Sequence, residues 1–339
     1  MNSQLAPVPA IHQAAGMRGF AAEFRDLDHY IRVITDRIWE GRRIADIRSY
    51  YSDPCTVETP LSVSTSVDDV IDGTRATLAM FPDRRLLAED VIQSGDENGG
   101  FLSSHRIISP MTHLGAGSFG PPSGRKLYAR TIADCVCKDN RIVHEWLVRD
   151  HAAIALQIGS TARALAQTWL DQRGGWNKPV AGPPPAGYVS HISTDPMAVR
   201  YAQALEGFSR LDLQVDALYD DAAQLIGPGE HTCYGHGEIA GFWRDLFSCL
   251  RVNSYTVEHL ALQRDMAQSG RPDRIALRFR AQSLHGPRDA EANRYGKGTG
   301  RPVELLGIVH AEFVRGRVVR EWVLLDDVAI WMQILTPRA

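Results

Sequence analysis

No run of roughly 18 or more apolar residues occurs in this 339-residue sequence, so no stretch reads as a membrane-spanning helix. The opening residues, Met1–Gly16, lack a basic region followed by an apolar core. They are read as a loose tail rather than a secretory signal, and a cytoplasmic protein is expected. Cysteine is scarce: Cys55, Cys135, Cys137, Cys233 and Cys249 are too few and too scattered for a disulfide framework. Cys135 and Cys137 form the one close pair, and no second pair completes a zinc set, so no metal is expected. Nor does one sign of charge dominate. With 37 basic and 40 acidic residues the formal net charge is −3, which gives no reason to expect nucleic acid or an anionic membrane as partner. What remains is an ordinary globular composition, 44% hydrophobic and 23% charged, in a chain long enough for about two domains.

The strongest internal signal is a stretch that occurs twice. Arg141-Ile-Val-His-Glu-Trp-Leu-Val-Arg-Asp150 runs on to Gln157-Ile-Gly159. From Arg317, 176 residues after Arg141, Arg-Val-Val-Arg-Glu-Trp-Val-Leu-Leu-Asp326 runs on to Gln333-Ile334. Each lead-in reads as a β-strand rich in Val, Ile, Leu and Trp. Alternation puts Ile142, His144, Trp146, Val148 and Asp150 on one face, and Val318, Arg320, Trp322, Leu324 and Asp326 on the matching face. A carboxylate ending a mostly apolar face has its pKa raised if buried, which suits proton transfer. The other reading is an Asp that caps the segment after the strand.

In order, the chain opens with a helix over about 26–41 whose Ile31, Ile34 and Ile38 form one face. A short helix through Ile44 and Ile47 follows, stopped at Asp53-Pro54, then a short strand from Thr56 to Thr59. Ser66 caps a third helix that reaches Phe81. Extended segments are read at 86–92, 101–108, 126–137 and 141–150, and a further helix at 160–171. Helices followed by strands signal an α+β domain. A Pro/Gly-rich linker at 173–193 precedes a second half with the same plan, including an amphipathic helix through Ile239, Phe242, Trp243, Leu246 and Phe247. The domains are therefore a tail at 1–25, a first domain at 26–172, the linker, and a second domain at 194–339.

Further pieces recur in order. The first half has Thr112-His113-Leu-Gly115 and then Ser123-Gly124-Arg125; the second has His285-Gly286 and then Gly298-Thr-Gly-Arg301. With the repeated strand ending, these resemble the SnoaL-like polyketide cyclases of the nuclear-transport-factor-2-like superfamily, well over 27–160 and less well over 197–336. The resemblance implies two cone-shaped domains, each a curved antiparallel sheet with N-terminal helices around a pocket. It implies no cofactor and no metal. In such cyclases a pocket carboxylate in the last strand serves as acid/base for an aldol closure, and Asp150 and Asp326 hold that position here. It also implies domain pairing through the sheets, made internally here as a pseudo-dimer, with a homodimer of the whole chain left open.

Around these carboxylates, His113 and His105 are candidate catalytic donors. His113 precedes a glycine-rich turn and could equally be a surface histidine; His105 either lines the pocket or faces solvent. Tyr128, Arg130, His144, Trp146, His310 and Trp322 are candidate substrate-binding residues. Arg130 pairing with Asp150 or Asp134, a core His310, or wall positions for both tryptophans are the structural alternatives. The first half is favoured for the chemistry because it keeps the fuller motif set. The expected function is a cofactor-independent acid/base enzyme on a small, largely apolar carbonyl compound: a cyclase, isomerase or lyase. A non-catalytic binding or assembly module is the alternative. An epoxide hydrolase, which wants an Arg between two carboxylates as Arg130 and Asp134 loosely imitate, ranks third.

Overall fold

Ile31 and Ile34 bring the first helix onto the sheet. The computed structural model describes residues 17–180, 182–265, 269–286 and 294–336; the tail read over Met1–Gly16 lies outside them. Helix α1 (Leu27–Thr35) is capped by Asp26, which accepts from the His29 N–H at 2.7 Å, and it buries Leu27, Tyr30, Ile31 and Ile34. A π-helical turn, Asp36–Glu40, continues it. Helix α2 (Ile47–Tyr50) then leads directly into β1 (Tyr51–Glu58). This strand starts earlier than the sequence reading placed it. Pro54 falls where the pairing register shifts between Tyr51 and Thr56, so its missing donor breaks no regular ladder. The first half continues with β2 (Val63–Ser64), α3 (Val67–Met80, capped by Ser66), β3 (Leu87–Asp96), β4 (Gly100–Thr112), β5 (Lys126–Lys138) and β6 (Arg141–Arg149). It closes with α4 (His151–Gln157), which the sequence reading lacked, and α5 (Ala162–Arg173).

The second half has α6 (Pro196–Ser209), α7 (Val215–Leu218), β7 (Tyr219–Gly227), β8 (His231–Tyr234), α8 (Gly235–Cys249), β9 (Leu250–Gln263), β10 (Asp273–His285), β11 (Pro302–Val314), β12 (Arg317–Leu324) and α9 (Asp327–Leu335). No described helix is long and apolar enough to cross a membrane. The architecture is mixed α+β with two six-stranded sheets of matching order, β2-β1-β6-β5-β4-β3 and β8-β7-β12-β11-β10-β9. The sheets are not wholly antiparallel as expected: β1 runs parallel to β6, and β7 parallel to β12. In each half one helix crossover, α3 or α8, lies between one antiparallel reversal before it and three after it, and four reversals restore the chain's direction.

The two sheets meet face to face. Ile132 and Val148 of the first pack on Leu306, Ile308 and Leu324 of the second. Reciprocal stacks flank this patch: the Arg278 guanidinium lies 3.6 Å from the Trp146 ring centroid, and that of Arg106 lies 3.5 Å from Trp322. Trp146 and Trp322 are thus wall residues between the sheets, not of a pocket, which corrects their assignment to substrate binding. A directional polar chain crosses the same seam. Arg106 Nη1 donates to His310 Nδ1 at 3.2 Å, and His310 Nε2 donates to Ser104 Oγ at 2.8 Å. Ser104 donates to Asp134 Oδ1 at 2.5 Å, and Arg278 Nη1 donates to Asp134 Oδ2 at 2.5 Å. This order needs a neutral His310, and burial pushes its pKa well down.

Candidate active site

Because the sheet faces alternate, committing His144, Trp146 and Val148 of β6 to the seam turns Glu145, Leu147 and Arg149 the other way, while a register shift puts Ile142 on the cavity side too. They face a cavity of about 290 Å³ beneath α1 and α3. Its walls include Ile31 and Ile34 of α1, Thr74 and Thr77 of α3, and Tyr51 of β1. His105 of β4 and Thr131, Ala133 and Cys135 of β5 complete the sheet side. A second cavity of about 210 Å³ shares Thr59, Ser62, Thr77, Arg84, Thr131 and Arg149 with the first and extends it towards Asp150, His151, Phe119 and Trp169.

Glu145 is buried and accepts from the Tyr51 hydroxyl at 3.2 Å. Burial raises its pKa, opposed by the Arg149 charge and the Tyr51 hydrogen bond. Burial lowers the pKa of Arg149. It also takes Arg84 down to about 9, with the Arg149 charge adding to the effect. Arg84 donates to Ser109 Oγ at 3.3 Å and lies over the Trp39 ring. Among the described residues, no carboxylate comes within 4.0 Å ion-pair distance of Arg84 or Arg149. His105 is 1% exposed, its Nε2 has no hydrogen-bond partner, and burial pushes its pKa down to about 3. Together these residues can take up a proton, supply a neutral imidazole, and face developing negative charge with two cations.

Of the residues named from the sequence, His105 alone lines the first cavity; Asp150 and Arg130 border the second, and His144 borders a separate cavity of about 390 Å³ beside the linker. Asp150 is buried, but not on the first cavity's wall. Its carboxylate caps α4 through the Ala153 N–H at 2.9 Å and receives the Gly229 N–H at 2.8 Å and the Glu230 N–H at 3.1 Å from the other half. Those three donors give it a capping and clamping role, although it borders the second cavity. Asp326 caps α9 through Val328 and Ala329, and its Oδ2 receives His151 Nδ1 at 2.7 Å. Its partner is His151, which borders the second cavity, rather than His310. His113 is buried against Phe81, with Nδ1 3.2 Å from Ser123 Oγ, and holds the turn before β5. Tyr128 is exposed. Arg130 pairs with Glu89 and Glu230, while Asp134 pairs with Arg278, so the arrangement an epoxide hydrolase would want is not formed. His144 stacks on Trp146 and lies 2.8 Å from Glu58, on the seam side of β6.

Glu145, Arg149, Tyr51 and Arg84 were missed. The available signal was two opposite charges four residues apart on the odd face of an otherwise apolar strand. Among the described residues no group of three or more His, Cys, Asp or Glu could hold a metal ion.

The second half has the same scaffold with a filled interior. Glu321, at the place of Glu145, accepts from the hydroxyls of Tyr201 at 2.5 Å and Tyr219 at 2.6 Å. Tyr201, Phe208, Tyr219, Trp243, Phe247, Phe279 and Phe313 pack around it. By strand register Leu277 replaces His105, Gly307 replaces Thr131 and Leu325 replaces Arg149. A Cβ on Gly307 would sit 2.4 Å from the Phe279 ring, so that glycine is what admits the ring.

Residues 29–158 match the SnoaL-like polyketide cyclase family. Solved structures similar to this chain include wild-type IdmH from Streptomyces antibioticus, at 20% identity over 39% of this chain and 97% of that one, TM-score 0.35. TsrD from Streptomyces laurentii is similar at 16% identity over 40% and 95%, TM-score 0.35. A SnoaL-like polyketide cyclase from Agrobacterium tumefaciens is similar at 19% identity over 39% and 98%, TM-score 0.33. No curated protein matches the chain.

Proposed function

We propose, from a first half that matches the SnoaL-like polyketide cyclases, that this protein is a cofactor-independent acid/base enzyme acting on a small carbonyl compound. We assign both halves to the nuclear-transport-factor-2-like cone, the first catalytic and the second its filled partner. The observation that carries the reading is the contrast between them: the first hollow holds Glu145, Arg149 and His105, and the second is plugged with aromatic rings. Glu145 removes a proton from the carbon beside the carbonyl; its raised pKa makes it a stronger base than a solvated carboxylate once ionised. The enolate oxygen is met by the neutral imidazole of His105, whose buried Nε2 has no other partner. Returning the proton to another carbon isomerises the substrate, and attack of the enolate on a second carbonyl closes a ring.

The test is hydrogen exchange in heavy water with a panel of small aryl ketones, followed by NMR. The wild-type chain should accelerate loss of the proton signal beside the carbonyl, and Glu145→Gln should slow that exchange by about 10²–10⁴-fold while keeping its fold. Equal exchange rates in the two proteins would remove Glu145 from the chemistry. Ketones that bind and come back with their protons unexchanged would favour a non-catalytic binding module.

A further inference from the structure

Arg84 and Arg149 stand on the shared wall of the two cavities, and among the described residues neither has a carboxylate within ion-pair distance. Their setting sharpens the point. Elsewhere the buried or half-buried arginines of the first sheet are neutralised: Arg106 by Glu89, and Arg130 by Glu89 and Glu230. Across the seam Arg278 has Asp134 and Glu258. The acids near the cavities do not fill the gap. Glu145 and Asp326 act on Arg149 only from beyond 4.0 Å, Asp150 receives three backbone N–H groups, and Asp69 at the cavity edge is exposed. His105, fully enclosed, adds an imidazole nitrogen without a partner in the first cavity. Where the fold repeats and the hollow is plugged, the counterpart of Arg149 is Leu325. Of the two hollows, the open one keeps the charge.

We propose that Arg84 and Arg149 together form the binding site for a carboxylate carried by the substrate, so that the natural substrate is an anionic keto acid rather than a neutral ketone or ester. This rests on the acid/base reading of the same cavity. Two guanidinium groups present planar forks that match the two oxygens of a carboxylate, and the surrounding walls exclude the water that would otherwise screen them. The carboxylate sits where the two cavities join, and the keto group extends along the wall towards Glu145 and His105.

The experiment compares calorimetric binding of 4-oxo-4-phenylbutanoate with that of its methyl ester, two probes differing by one charge. The acid should bind about tenfold or more tightly, the scale of one charge-assisted hydrogen-bond set. Arg84→Gln and Arg149→Gln should each erode that preference, and the matching Lys variants should restore part of it, which separates lost charge from lost fold. Glu145→Gln should keep the preference while losing exchange activity. If selective acid binding persists but the wild-type protein exchanges no protons, the catalytic reading fails and this site stands. An ester that binds as tightly as the acid, a preference untouched by both Gln variants, or binding of neither probe would overturn the site.

Discussion

Asp150 shows how one side chain can be recognised for its chemistry and placed on the wrong wall. Its burial was expected, and burial does push its pKa up, to about 7 from an ordinary 3.8, against the pull of the Gly229, Ala153 and Glu230 N–H groups. The consequence is one of stability. The folded chain holds this proton at a pH where the unfolded chain has released it. The stabilisation is therefore fully present below about pH 4 and is lost as pH rises through about 7. Melting temperatures of wild type and Asp150→Asn across pH 5 to 8 should show wild type losing ground to the variant as pH rises. A constant gap, or one moving the other way, would show that the carboxylate is ionised throughout. Of the site's residues only His105 was picked out from the sequence, because the orientation of β6 was not legible there. Both faces of β6 are buried, one in the cavity and one in the seam. An apolar stripe therefore marked the sheet–sheet contact rather than the pocket.

At the scale of the element, most of the fold was readable because helices and long strands carry their own periodicity. Ser66, Asp195 and Asp26 cap as their types suggest. Helix α4 was hidden because it follows Asp150 without a break, and β7 because its pairing with β12 joins segments far apart in sequence. The strand β11 offers a direct test of the plugged interior. Gly307→Ala forces a methyl group into the Phe279 ring and towards Leu325, whose nearest atom is 3.0 Å away. It should destabilise the chain by about 1–3 kcal/mol in denaturant titration. Adding Phe279→Leu to that variant should recover part of the loss. Additive losses would mean that the ring does not depend on the glycine.

The whole molecule is held by a seam that buries charge. Asp134 and Arg278 are both within 2% of complete burial, and removing either takes from the other its shortest charged contact, leaving Arg278 with Glu258 at 3.3 Å or Asp134 with the Ser104 hydroxyl. Asp134→Leu and Arg278→Met should each cost about 3–5 kcal/mol, while the double replacement should cost much less than their sum. A double-mutant cycle by chemical denaturation measures this coupling, and additive losses would show that the two side chains are not coupled. The repeat at a 176-residue offset foretold the two matching sheets. It did not foretell where the copies diverge, since the replacement of Asp134 by His310 makes sense only once both are seen to share Ser104.

That shared serine has an evolutionary corollary. Two identical first halves docked in this way would bring carboxylate against carboxylate across the axis, with no imidazole to donate between them. Covalent joining in one polypeptide fixes a single copy of each, so the acid can remain on one side while the other side drifts to its complement. The seam has thereby become a lock and its key, with the acid on one side and its imidazole complement on the other.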